Sequence, residues 1–297
     1  PELATKFPAI HTYSGVATDG SGVIVRLGIG YKGFHAFIFG DEQGNQSVRP
    51  YAEGQNSVYM AYKVSDLPVD PASDGMIKCG THDAWNPQED VSHAEQVAVA
   101  ERGAAPVQLK VYRLAIAAQG EYSIFNGGTK PLVLSAIVEA VNFITAIQER
   151  DFGVRFQLIP NNDAIIYLDP ATDPFTSGID DPGTWLGENP GAINPVIGIN
   201  NYDVGHAFCK RVISPNGTIG IAATGGACQI LSKGQAASSD FFPNNESFYL
   251  TTAHEMCHQL SGLHSWSYCP GNEGSLHPIN AFEPGSGSTI MSYTKAC

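Results

Sequence analysis

Four residues toward the C-terminal end have the types and spacing of a catalytic metal site. His254 and His258 are four residues apart. On a helix that spacing puts both imidazoles on one face, about one turn apart, within reach of one ion. Glu255 lies between them, rotated to one flank, where its carboxylate can act on an attacking water without ligating the metal. His264 follows six residues after His258, so the helix must stop and the chain must turn back. Gly262 offers a residue that turns sharply. Three neutral nitrogen donors leave one open position on a tetrahedral zinc, the pattern of a catalytic rather than a structural site. The chemistry such a set performs is hydrolysis by metal-activated water, with Glu255 as general base.

The elements that must position these residues are partly legible. Residues 247–253 lead into the metal-binding helix. Residues 108–117 alternate polar and apolar, which predicts a strand. Pro131 opens a long helix through about Arg150, with Leu134, Ile137, Val138, Val141, Ile144 and Ile147 as a core-facing stripe. Gly153 ends it, and 154–160 reads as a second strand. Strand–helix–strand implies a parallel pair. Residues 164–168 read as a further short strand. Residues 121–128, 169–195 and 265–288 read as loops. Asp169, Asp173, Asp180 and Asp181 offer carboxylates for calcium, but no regular ligand ladder, so a solvated loop is the favoured reading. His206 is expected to be a hydrogen-bonded structural residue, because three histidines already fill the ligand set.

The first 70 residues read as β structure, with runs at 23–27, 34–39 and 57–62 separated by turn clusters. Residues 71–105 look like a connector, including a polar, alanine-rich stretch at 88–102 with the look of an exposed helix. Gly103-Ala104-Ala105-Pro106 marks a boundary. The expected domains are therefore 1–105, β-rich and propeptide-like, and 106–297, catalytic. Cys79 lies in the connector. A thiolate is a good zinc ligand, so Cys79 can fill the fourth position and hold the enzyme latent. A disulfide and a free thiol remain as alternatives.

Composition narrows the partners. The net charge is −13, from 29 acidic and 16 basic residues, which leaves no basic surface for nucleic acid or anionic membrane. No unbroken run reaches the roughly 18 apolar residues of a membrane span. The six cysteines show no C-x-x-C pairing, so a four-cysteine zinc site is not expected. Their even number and wide spacing suit an exported, disulfide-bearing protein. The start at Pro1-Glu2-Leu3 suits a removed leader or an upstream segment.

Taken together, His254-Glu255-x-x-His258-x-x-Ser261-x-x-His264 and the later Ile290-Met291-Ser292-Tyr293 resemble the metzincin clan of zinc endopeptidases, whose methionine turn lies below the metal. More narrowly, segments 112–115, 149–154, 202–206 and 283–291 are similar to those of secreted bacterial reprolysin-like (adamalysin-like) proteases. The resemblance spans roughly 106–297 and, more weakly, the N-terminal region, which looks like their pro-region. It implies an α+β metzincin catalytic domain, with a twisted, mostly parallel sheet, long helices, a zinc helix and a Met-turn, behind a small β-rich pro-like domain. It implies a zymogen acting on proteins or peptides, with Met291 as a packing platform and an edge strand near 196–204 open to extended substrate. Two positions depart from the family pattern. Ser261 stands where Gly is usual, so either the turn shifts to Gly262 or Ser261 is strained by about 1 kcal/mol. Cys257 stands where a small residue is common, and its place on the helix flank suits a buried thiol or a disulfide half.

Two other function classes stay open. One is a zinc-retaining binding or structural protein without proteolysis; the other is a zinc hydrolase acting on a non-peptide amide. The cysteines discriminate among latency schemes. If Cys79 binds zinc and Cys257 is free, Cys209–Cys228 and Cys269–Cys297 are the natural pairs, one of three connectivities.

Overall fold

The computed structural model describes residues 2–42, 44–52, 57–67, 77–81, 108–213, 217–270 and 275–293. Most of the expected connector, including 82–105 and its polar stretch, lies outside the described residues. After a short helix α1 (Glu2–Lys6) the chain forms an antiparallel meander of β1 (His11–Val16), β2 (Ile24–Gly30), β3 (Gly33–Phe39), β4 (Gln46–Pro50) and β5 (Tyr59–Lys63), paired in that order. The expected runs at 23–27, 34–39 and 57–62 correspond to β2, β3 and β5. β1 and β4 were not expected from the sequence. β1 is exposed over nearly its whole length and β4 has a single buried residue, so neither carries an apolar alternation.

The second sheet has six strands in the order β6 (Ile77–Cys79), β10 (Gly217–Ala222), β11 (Ala236–Asp240), β9 (Val204–Lys210), β7 (Lys110–Ala118) and β8 (Val154–Leu158). β8, β7, β9 and β11 run parallel to one another, and β10 is antiparallel to β11. β6 pairs in parallel with β10, placing Cys79 opposite Gly220. The expected parallel pair is β7 and β8, joined through the long helix, here α3 (Lys130–Phe152). Gly153 ends α3 in the left-handed region (φ 64°), where Gly meets no Cβ clash.

Three sequence expectations are corrected. Residues 120–125 form a short helix, α2 (Gly120–Phe125), not loop. Residues 162–165 form a 3-10 turn, and only Ile166 bridges to the sheet, at Ala118, so 164–168 is no strand. The expected loop at 169–195 ends in a helix, α4 (Pro182–Ile197). Pro182 suits the first helical turn, and the Asp181 side chain accepts from Gly183 N–H at 3.0 Å. Pro190 and Pro195 each cost the helix a backbone bond. Burial of Trp185, Ala192, Ile193 and Ile197 against the sheet outweighs that cost. The acids of this region cap backbone: Asp169 accepts from Ala171, Asp173 from Gly120 and Phe175, and Asp180 from Val212 and Ile213.

β7 shows why the second sheet is buried on both sides. Leu114, Ile116 and Ala118 join one apolar cluster while Ala115 and Ala117 join another. α4 covers the second face. The first is covered by α3 and by α5 (Glu246–Gln259), in a cluster that also takes in Phe37 and Phe39 of the N-terminal meander. α3 is thus packed on two sides, which explains why Ala136, Ala140, Phe143 and Ala146 are buried beyond the expected stripe. By length and composition α3 would pass for a membrane span, but 78% of its apolar window is buried inside the protein. Arg49 of β4 ties the two parts further. Its guanidinium lies 3.1 Å from Glu139 of α3 and 3.2 Å from Glu246, the first residue of α5.

Candidate metal centre

α5 starts where the Asn245 side chain accepts from Phe248 N–H at 2.9 Å, satisfying an otherwise orphaned donor. It presents His254, Glu255 and His258 together, all buried. The helix stops in a Schellman turn. Ser261 N–H donates to the His258 carbonyl (2.9 Å) and Gly262 N–H to that of Cys257 (2.7 Å). The turn residue is Ser261, with φ 72°, so the turn does not shift and the serine bears the left-handed strain. Gly262 is needed for space instead: a Cβ there would lie 2.9 Å from the Cys257 carbonyl oxygen. The reversed chain then delivers His264, fully buried, to the same place.

The three Nε2 atoms converge. His254 lies 3.2 Å from His264 and 3.1 Å from His258. Two of the rings are oriented from behind: His254 Nδ1 donates to the Ile290 carbonyl at 2.6 Å, and His258 Nδ1 to that of Gly262 at 2.8 Å. A proton held on Nδ1 leaves the Nε2 lone pair facing the site. Burial, and then the nearby His264, push the His254 pKa down to about 3, so its ring is neutral.

Ile290 precedes Met291, which is buried and whose carbonyl accepts from Ser265 N–H at 3.0 Å. Two residues on, the ring of Tyr293 lies 5.0 Å from that of His264. This loop is pinned by Glu283, which accepts from Ser288 N–H (2.7 Å), Thr289 N–H (3.0 Å) and the hydroxyls of Ser265 and Thr289. Partial burial pushes the Glu283 pKa up, but these donors outweigh it and hold it at about 2.

From the other side, β6 brings Cys79 to the same point. Its Sγ is 3.5 Å from His258 Nε2, and the ligand atoms of Cys79, His254, His258 and His264 all lie within 4.8 Å of one another. A tetrahedral zinc with bonds of about 2.0–2.1 Å to nitrogen and 2.3 Å to sulfur separates its ligand atoms by about 3.3–3.6 Å. The spacings between the histidine nitrogens, and from His258 to the sulfur, match that within a few tenths of an ångström. The donor set, three neutral imidazoles and one thiol, also suits zinc. Glu255 flanks the cluster, fully buried, with Oε2 3.5 Å from Cys79 Sγ and 3.3 Å from Thr81 Oγ1. Room for Glu255 comes from Gly220, where a Cβ would lie 2.4 Å from Glu255 Oε1.

Other sequence expectations can be placed. His206 is buried, 2.9 Å from Ser238 Oγ and 3.4 Å from the Gln259 side chain, apart from the metal cluster. Cys257 is a buried free thiol accepting from Gln148 Nε2 (3.2 Å), and burial pushes it up to about 12. The Cys209–Cys228 disulfide is not formed. Cys209 is buried beneath α4, whereas Cys228 is exposed in the β10–β11 loop, and both are free. Spacing along the chain says nothing of Cβ direction, which a disulfide requires. Cys269 is disulfide-bonded, and its expected partner Cys297 lies outside the described residues. Residues 196–204 are not an edge strand. They span the end of α4, a 3-10 turn and the first residue of β9, a strand inside the sheet. The strands beside the histidines are β6, through Cys79, and β10, through Gly220 against Glu255. The roles of Thr81, Gly220 and Glu283 escaped the sequence because each depends on a neighbour remote in the chain.

Residues 108–296, more than half of the chain, match the family model described as Metallo-peptidase family M12B Reprolysin-like. A search of curated proteins finds no match. The matched span holds the three histidines, Glu255 and the Met291 loop, and starts after Cys79. The chain therefore belongs to the reprolysin-like M12B metallopeptidases, metzincins that depend on zinc and act on protein or peptide substrates.

Proposed function

We propose that this chain is a secreted zinc endopeptidase held in a self-inhibited form by its own N-terminal region. His254, His258 and His264 hold the metal, and Cys79 takes the fourth position as a thiolate. Zinc, when bound, supplies Lewis acidity toward a peptide carbonyl and toward the attacking water. The remaining work falls to the protein. Glu255 takes a proton from the attacking water and passes it to the leaving amine. Gly220 leaves Glu255 the space to do so. Ile290 and Gly262, through their carbonyls, keep the histidine lone pairs aimed inward. Met291 forms the floor behind them. β10, with β6 lifted away, is the sheet edge that an extended substrate strand can join.

The observation that carries this reading is the convergence of Cys79 with the three histidines. A cysteine in that place blocks substrate, and a catalytic site needs its fourth position free. The experiment uses the full chain. Cys79→Ala is expected to raise cleavage of a generic unfolded protein, and chelator or a second substitution, Glu255→Gln, to abolish it. Equal cleavage by Cys79→Ala with and without Glu255→Gln would refute the peptidase mechanism.

A further inference from the structure

The segment that carries Cys79 brings a second residue into the site. Thr81 is buried, at 4% exposure. Its backbone N–H donates to Cys79 Sγ at 3.3 Å. Its hydroxyl accepts from Ala222 N–H at 2.9 Å. The same oxygen lies 3.2 Å from the Ala222 carbonyl and 3.3 Å from Glu255 Oε2. A hydroxyl has one proton, so it donates to one of these two acceptors.

The surroundings decide which. Cys79 Sγ is 3.5 Å from the same Glu255 oxygen, close enough for a thiol to donate to it. A cysteine that ligates zinc has no proton to donate. Thiolate and carboxylate are then adjacent anions in a buried site, and each gains from a donor of its own. Thr81 supplies one to each: its N–H to the sulfur and its hydroxyl to the carboxylate. A carboxylate is the stronger acceptor, so the hydroxyl proton goes to Glu255 rather than to the Ala222 carbonyl. The Ala222 N–H bond fixes the hydroxyl for that task and ties it to β10.

We infer that Thr81 is a positioning residue of the self-inhibited state, holding the Cys79 sulfur at the metal position while tying up the Glu255 carboxylate. The inference rests on the reading of Cys79 as the fourth ligand. Inhibition then has two parts on one short segment: Cys79, the last residue of β6, blocks the metal, and Thr81, two residues on, occupies the base. Both are held to β10, Cys79 by the strand pairing and Thr81 by its bond from Ala222 N–H, so they leave together.

The test is alkylation of Cys79 in the full-length, zinc-loaded chain, with iodoacetamide and peptide mass spectrometry. The exposed free thiol of Cys228 serves as internal control. Thr81→Val keeps the shape and the backbone donor but loses the hydroxyl. It is expected to speed Cys79 alkylation about ten-fold, the size of one hydrogen bond to a charged group. Thr81→Ser is expected to stay within about two-fold of wild type, and Cys228 is expected to react at one rate throughout. In a Glu255→Gln background, where the anion is gone, Thr81→Val is expected to have a clearly smaller effect, about three-fold or less, left by the lost Ala222 N–H bond. A ten-fold effect in both backgrounds would mean simple loosening of β6 and would overturn the inference. So would equally slow alkylation of wild type and Thr81→Val, which leaves Cys79 on the metal. Fast alkylation of wild-type Cys79, unaffected by chelator, would instead overturn the reading of Cys79 as a ligand.

Discussion

Gly220→Ala tests whether the active form depends on the close contact between β10 and Glu255. A Cβ at residue 220 would lie 2.4 Å from Glu255 Oε1, 2.7 Å from its Cγ and 2.8 Å from its Cδ. All three are closer than carbon atoms approach, so more than the carboxylate tip must move. Glu255 is fully buried, and its other oxygen already faces Cys79 and Thr81, so it has little room to retreat. Overpacking of this kind costs about 1–3 kcal/mol of stability. Its larger effect is on chemistry. His254 and His258 are held by carbonyls remote from residue 220 and keep their places, so zinc content is expected to stay at one per chain. A displaced general base is expected to lower kcat by about 100-fold or more. The assay compares Cys79→Ala with Cys79→Ala/Gly220→Ala, measuring zinc by elemental analysis and cleavage of an unfolded protein. Full zinc with full activity in the double variant would refute the argument that Gly220 makes room for the base.

Other outcomes follow from the same geometry. Ser261→Gly relieves a left-handed serine at φ 72° and is expected to stabilise the fold by about 1 kcal/mol, read as a higher urea midpoint with the same slope. His206 is buried and neutral, with burial pushing its pKa down to about 4 from 6.5. The unfolded chain binds the extra proton between those values, so the His206 contribution to stability is complete above pH 6.5 and falls by about 3 kcal/mol as the pH drops toward 4. Urea melts across that range check this, and His206→Gln should make the dependence shallower by that amount. Glu283→Gln weakens the bonds that pin the Met291 loop. After allowance for solvent screening it is expected to cost about 1 kcal/mol, and to weaken zinc binding about 10-fold or more by loosening the carbonyl behind His254. Unchanged zinc affinity in a chelator titration would count against that link.

How much of this was legible depended on whether the signal was local. The pattern His254-Glu255-x-x-His258 with His264 was readable because helix periodicity alone sets which side chains share a face. α3 and its flanking strands were readable for the same reason. Whether the chain turns at Ser261 or Gly262 was not, since both residues tolerate a turn. The close approach of Gly262 to Cys257 decides which backbone is used. α4 was hidden by Pro190, Pro195 and several glycines, whose local cost is overridden by Trp185 and Ile193 packing on the sheet. β1 and β4 lack an apolar alternation and exist through pairing with β2 and β3. Cys79 could be named as a candidate ligand by its chemistry. Its arrival at the histidines rests on the β6–β10 pairing, across more than 130 residues of chain. The disulfide expectation for Cys209 and Cys228 failed because proximity in sequence carries no information about side-chain direction.

The most direct test of the self-inhibited zinc site is X-ray absorption on the full-length, unprocessed chain, paired with its zinc content. One zinc per chain is expected, with three nitrogen ligands and a single sulfur at about 2.3 Å, and the sulfur shell is expected to vanish in Cys79→Ala. A first shell of nitrogen and oxygen alone in the wild-type chain would contradict the account.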